Sequence, residues 1–334
     1  MNLNKTLLAA LFICCSTLSY GQYTDVINSN RPGVSRSAFS VGTNVAQFEV
    51  GPYMVKEERE PSPSYSVSGW GVDFAARYGL LWEPLEINIE GTFQRDTKTF
   101  DSEFAVDDKR GNFKFLALGA KYLVYDPYKH AGEEKPNLYS WKANNRFKWK
   151  SLIPAVAVYL GANYDLEDNP YVTAGVEGVS PKIMIATQHN FSGGWVFVMN
   201  FIKDRIGTDQ SDFQYILTLT HSFNPKWVIF AETQGIKSDF YADNLLRGGA
   251  AYLLGKDFQI DAAVTTNFKD TPSVFNATIG ASYRLDFHKD KEIDNGNSKK
   301  DVAKRGKKVK NKKNKDNNNQ ENVIKRNQKK EIDF

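Results

Sequence analysis

Four histidines are the first place to look for chemistry: His130, His189, His221 and His288. A histidine activates a serine for attack on an ester when the two lie within hydrogen-bond reach and an acid or amide orients the ring. None of the four sits beside a recognisable serine motif, and no pair has the spacing that holds a metal. The two cysteines, Cys14 and Cys15, lie in the first fifteen residues. Beyond them there is no thiol for a disulfide, a nucleophile or a thiolate metal site. The sequence therefore reads as a protein that is not an enzyme, with no metal and no cofactor. A second set is more informative: Glu49, Asp73, Arg77, Glu86, Glu90, Lys121, Glu232, Asp261 and Arg284. Each occupies the polar row of a segment that alternates. Charges of both signs confined in a narrow interior can pair across it and fill it. They can also form a constriction that selects small polar or weakly amphipathic solutes. Both readings stay open at this point.

The elements that position these charges alternate with period two from about residue 44 to 287. In the last of them Phe275, Ala277, Ile279, Ala281, Tyr283, Leu285 and Phe287 share one face. Asn276, Thr278, Gly280, Ser282, Arg284 and Asp286 share the other. The run is long for a globular strand and suits a tilted membrane strand. The same pattern gives strands at 64–80, 85–94, 213–223 and 258–266. Weaker alternation gives 44–56, 113–125, 151–163, 181–189, 195–202, 227–234 and 246–254. That makes twelve strands, to within two. Connections alternate in length. Short links at 81–84, 190–194, 224–226 and 255–257 interleave with longer polar ones near 57–63, 95–111, 164–180, 203–212, 235–245 and 267–274. Outer-membrane barrels have short periplasmic turns and longer outer loops. The segment 126–150 breaks the rule, being a long link on the short side. Trp82, Trp195, Trp227 and Phe258 each stand beside a short link, where a periplasmic aromatic girdle would meet the headgroups.

A soluble sandwich also alternates, but its strands usually run about five or six residues and its apolar face is buried. Here several segments are nine or longer, and the second face carries Glu, Asp, Arg, Gln and Asn, which suit a wet lumen. No apolar run beyond the first twenty residues is long enough for a membrane helix, and a barrel does not need one.

The two ends differ in kind from the middle. Lys5, the apolar Leu7–Cys15 and the small residues Ser19 and Gly21 read as a secretory signal cut before Gln22. Residues 288–334 hold 16 Lys and Arg against 8 Asp and Glu, while the preceding 287 residues carry a net charge of −4. This Lys/Asn-rich tail, with Lys307-Lys308-Val309-Lys310 and Asn317-Asn318-Asn319, has too few apolar side chains to bury a core. Its lysines come with no aromatic platform or recognition motif, so a nucleic acid is not the expected partner. A polyanion in the periplasm, such as cell-wall polymer or anionic headgroups, is.

The second half of the chain resembles a family of bacterial outer-membrane transporters of the MetA-pathway-of-phenol-degradation type. Val179-Ser180-Pro181 opens a strand, and Gln188-His189-Asn190-Phe191 precedes a turn. Phe230-Ala231-Glu232 and the closing Gly280-Ala281-Ser282-Tyr283-Arg284-Leu285 follow, and near the start stand Thr24-Asp25 and Asn30-Arg31-Pro32-Gly33. The resemblance implies a barrel and transport, with no defined cargo. The expected layout is a signal peptide at 1–21, a periplasmic N-terminal segment at 22–43, an up-and-down outer-membrane β-barrel at 44–287, and a disordered tail at 288–334 on the periplasmic side. The expected function is passive passage of small solutes through a polar, charged lumen embedded in outer-membrane lipid. The alternative is a structural or adhesive barrel with a closed lumen.

Overall fold

The computed structural model describes residues 26–61, 64–101, 107–128, 152–173, 175–191, 193–239 and 241–287. The signal, most of the 126–150 insertion, His130, His288 and the tail lie outside the described residues.

Twelve antiparallel strands close into one barrel, each paired with its neighbours in sequence and the last with the first. They are β1 (Val45–Arg59), β2 (Tyr65–Gly79), β3 (Leu85–Phe100), β4 (Asp107–Tyr125), β5 (Ala155–Asp165) and β6 (Gly178–Phe191). Then come β7 (Trp195–Asp204), β8 (Asp212–Ser222), β9 (Trp227–Lys237), β10 (Ala242–Leu254), β11 (Phe258–Asn267) and β12 (Ser273–Asp286). Closure leaves no unpaired edge, which is what allows a sheet to cross hydrocarbon. The seam joins Val45 to Asp286 and runs to Glu58 opposite Ser273.

The wall is turned apolar side out. In β1, Phe48, Val50 and Met54 are exposed while the alternate residues Gln47 and Glu49 are buried. In β12, Phe275, Ile279 and Tyr283 are exposed and Ser282 and Arg284 are buried. Apolar rows facing outward on a closed sheet have no partner in water. They mark a surface made for lipid, and this is an outer-membrane barrel.

Most strand bounds differ from the sequence reading by a few residues, and four of the differences have a plain physical reason. Strands β1, β3 and β4 continue through residues 57–59, 95–100 and 107–111, which read as loop. These extensions carry Lys98, Asp108, Lys109 and other polar side chains on both faces. A ladder that has left the hydrocarbon keeps its hydrogen bonds but no longer needs an apolar outer row. Strand β5 begins at Ala155 rather than 151, because Pro154 has no N–H to give the ladder.

With β1 starting at one rim, the connections after β2, β4, β6, β8 and β10 all return to that rim. The chain leaves β12 there too. Four of these five are tight; in the β10–β11 turn Gly255 has φ +84°, a conformation glycine adopts without strain. Short turns mark the periplasmic rim.

Candidate functional site, a plugged lumen

Residues 22–43 read as a periplasmic segment. The structure corrects this: from Ile27 the chain runs inside the barrel. It enters beside the β10–β11 turn, where the Ile27 amide donates to the Lys256 carbonyl (2.8 Å). It leaves beside β2, where the Asn44 amide donates to the Gly79 carbonyl (3.0 Å). Between these points it crosses the bore. The Asn30 amide donates to Glu49 on β1 (3.2 Å), and the Arg36 amide donates to Asn200 on β7, half a ring away. Glu90, Asn200 and Glu232 each stand five residues from the periplasmic end of their strands. The loop therefore reaches roughly 17 Å along the strands and turns back to the same rim.

Its composition explains the seat. Residues 26–44 contain Arg31 and Arg36, four serines, three asparagines and no acid. The wall facing them is acidic. Glu232 accepts from the amides of Val34 (3.1 Å) and Ser35 (3.1 Å), and from Thr218 Oγ1 (2.7 Å). Arg247 pairs with the same carboxylate. Asp261 takes the Arg31 guanidinium (3.2 Å), which also donates to Thr278. Arg36 pairs with Glu90 and lies 5.6 Å from the Tyr159 ring centre. Glu86 accepts from the Val41 amide (3.0 Å) and holds Arg77 through two bonds of 2.9 Å. Arg77 in turn donates to the Asn28 carbonyl (2.7 Å). Lys121 donates to the carbonyls of Ser37 and Phe39, both 2.9 Å. Burying backbone amides and carbonyls away from water requires partners, and the lumen charges supply them.

Seven of the nine charges singled out in the sequence thus bind the loop. Asp73 instead accepts from Thr92 (2.6 Å), and Arg284 pairs with Asp286 (2.9 Å). Glu49, Arg77, Glu86, Glu90, Lys121, Glu232 and Asp261 are at most 5 % exposed, so the loop and these side chains pack the bore at this depth. Two inward glycines complete the seat. A Cβ at Gly51 or at Gly280 would collide with the Arg31 guanidinium. Glycine at both positions admits the arginine.

The sequence predicts a lumen that is polar all round; the structure shows one that is not. Leu123, Ala155, Ala157, Tyr159, Met184, Ala186, Ile202 and Ile216 face inward on β4 to β8 and form an apolar cluster. Ala38 and Phe39 of the loop cover it. Over this stretch β4 to β7 are apolar on both faces, which is why their alternation is weak in the sequence.

Sequence reasoning missed a second polar layer, nearer the outer rim. Lys182 reaches Glu90 (3.4 Å) and Asp204 (3.6 Å). Arg205 makes two bonds to Asp165 (3.0 and 2.9 Å). Asp96 accepts from Arg110 (2.8 Å) and Tyr171 (3.0 Å). Burial pushes the Tyr171 phenol well above its ordinary value, and the hydrogen bond to Asp96 adds to this, so Tyr171 stays a donor. Most of these residues lie in strand extensions or loops, where alternation gives no signal. The plug also lacked one, since its sequence has no period; the inward glycines at 51 and 280 were the available hint.

Trp82, Trp195 and Trp227 are exposed at the rim of short turns, and Phe258 lies half-buried there, 6.2 Å from Tyr283. His189 stacks on Phe191 (5.7 Å), and His221 lies between Trp195 (4.2 Å) and Phe223 (4.8 Å). The Nδ1 atoms of both histidines have no hydrogen-bond partner among the described residues. Both rings stack on rim aromatics, and among the described residues no acid orients either. Among the described residues no group of three or more His, Cys, Asp or Glu could hold a metal.

The family described as "Putative MetA-pathway of phenol degradation" matches residues 29–285. The match begins within the plug and ends with β12. No curated protein sequence matches the chain. The COG4313 outer membrane channel from Pseudomonas putida F1 has a similar fold, with TM-score 0.50, 9% identity, 78% of this chain and 100% of that chain covered. The KdgM porin gives TM-score 0.41 at 8% identity, covering 71% and 99%. The Ralstonia pickettii toluene transporter TbuX gives 0.40 at 10%, covering 74% and 91%.

Proposed function

The chain belongs to the MetA-pathway-of-phenol-degradation family, and from that premise we propose that it is an outer-membrane channel for small solutes, closed at rest by its own N-terminal loop. One observation carries this reading. The loop enters and leaves by the same rim, with Ile27 beside Lys256 and Asn44 beside Gly79. It can be withdrawn toward the periplasm without threading a chain end and without opening a strand pair. Apart from the apolar contact of Ala38 and Phe39, its bonds to the wall are hydrogen bonds and ion pairs that water can replace. A filler meant only to stabilise a closed barrel would need no such exit.

The test is conductance across a planar bilayer. The intact protein is expected to give rare, brief openings. A variant lacking residues 27–41 is expected to give a steady open level. Silence from both, with the barrel folded, would favour a structural or adhesive role, for which the dense packing of the buried charges speaks. The family description makes phenols the first solutes to try in a liposome uptake assay. The basic tail is proposed to bind a periplasmic polyanion. Cell-wall co-sedimentation that survives high salt and truncation after Phe287 would end that idea.

A further inference from the structure

Beside the loop, at its periplasmic end, lies a cavity of about 360 Å³. One side is the loop from Val26 to Ser37, and the other is the wall from β6 to β11. Its size falls at the small end of ligand pockets, which run from about 300 to 1,000 Å³. The wall side is two-toned. Val198, Val228, Phe230 and Leu253 give it an apolar floor, and Thr220 and Ser222 line it with hydroxyls. Arg31 is the sole charged residue among those that line it, and its guanidinium is engaged by Asp261 and Thr278. The neighbouring Ser37 hydroxyl donates to Gln188 (2.8 Å) and accepts from Asn28 (3.0 Å). A charged guest would surrender its hydration with no opposite charge to replace it. A neutral guest would not.

We propose that this cavity is a binding site for a small uncharged amphiphile, a molecule with an apolar body and one hydrogen-bonding end, and that its occupant locks the loop in place. The second half follows from how the site is built. Loop and wall each supply part of the lining, so the complete site exists only while the loop is seated. A ligand that binds one state and not the other stabilises the first in proportion to its occupancy. The occupant therefore closes the channel. The inference rests on the plugged-channel reading for its consequence, though not for the binding itself.

The probes are 1-heptanol and its charged counterpart heptanoate, applied to the full chain in lipid nanodiscs. Ser35 lines the cavity and is buried. In a Ser35→Cys variant, the rate of thiol labelling at that position, read by peptide mass, reports unseating of the loop. Heptanol at ten times its half-saturating concentration is expected to slow labelling about tenfold, and heptanoate to leave it unchanged. Adding Val198→Trp, which fills the cavity, should abolish the heptanol effect. Ala251→Phe serves the same purpose if the first variant fails to reach the folded band on an unheated gel. Slowing that does not saturate, or that persists in both filled variants, would mean partition into lipid and would overturn the proposal. Equal slowing by heptanoate would overturn the assigned chemistry. If heptanol protects position 35 but neither the intact chain nor the loop deletion conducts, the channel reading fails and the binding site stands. If the deletion conducts and heptanol has no effect, the site fails alone.

Discussion

The two halves of the lumen wall hold the loop by different physics. On β1 to β3 and β9 to β12 the wall offers Glu49, Arg77, Glu86, Glu90, Glu232 and Asp261, and the loop answers with amides, carbonyls and two guanidinium groups. On β4 to β8 Lys121, Gln188 and Asn200 still bind the loop, but most of the wall is alanines, Met184, Ile202 and Ile216, and the loop answers with Ala38 and Phe39. The charged half specifies position, since each bond has a direction and a missing partner is costly. The apolar half contributes contact area that tolerates sliding. A loop bound only by the second would be greasy and badly placed; one bound only by the first would be wet.

The comparison can be broken most forcefully at Glu86, which serves Arg77, Lys121 and the Val41 amide at once. Glu86→Gln leaves two buried cations short of charge. It should cost about 3–5 kcal/mol, read as a lower urea midpoint for loss of the folded gel band, and should raise the frequency of conductance steps. Met184→Ala in the other half should cost about 2–5 kcal/mol through the cavity it leaves. Conductance steps should stay as rare as in the parent protein; frequent openings from this variant would mean the apolar half also sets the loop's position. Gly280→Val should expel the Arg31 guanidinium and strand Asp261, at a cost of about 1–3 kcal/mol, with Ser35→Cys labelling faster than in the parent background. Trp195→Ala touches neither half. Losing its stacking on His221 should cost about 1 kcal/mol, measured by the same urea midpoint, and leave labelling at position 35 unchanged.

The same contrast explains what was legible in the sequence. In β2 and β12 one row meets lipid and the next meets charge, so Tyr78 beside Arg77 and Tyr283 beside Arg284 announce strand, face and lumen together. In β5 to β7 the inward row holds Ala155, Ala157, Met184 and Ile202. Both rows are then apolar and period two fades, although the strands are as regular as the others. The inward charges could be placed in the lumen from alternation alone, but their partners could not. Those partners are backbone groups of a segment without periodicity, and its serines and asparagines resemble any exposed linker. Its one distinguishing trait is a lack of acids, which becomes meaningful only once an acidic wall is known to surround it.

The seat of Arg31 carries a consequence for biogenesis. Its components come from opposite ends of the translated chain: Gly51 on β1, Asp261 on β11, Thr278 and Gly280 on β12. No subset of earlier strands can assemble this clasp. Arg31 must wait for β11 and β12, and zipping the seam between β12 and β1 completes its seat. A nascent barrel thus lacks this clasp until it is complete.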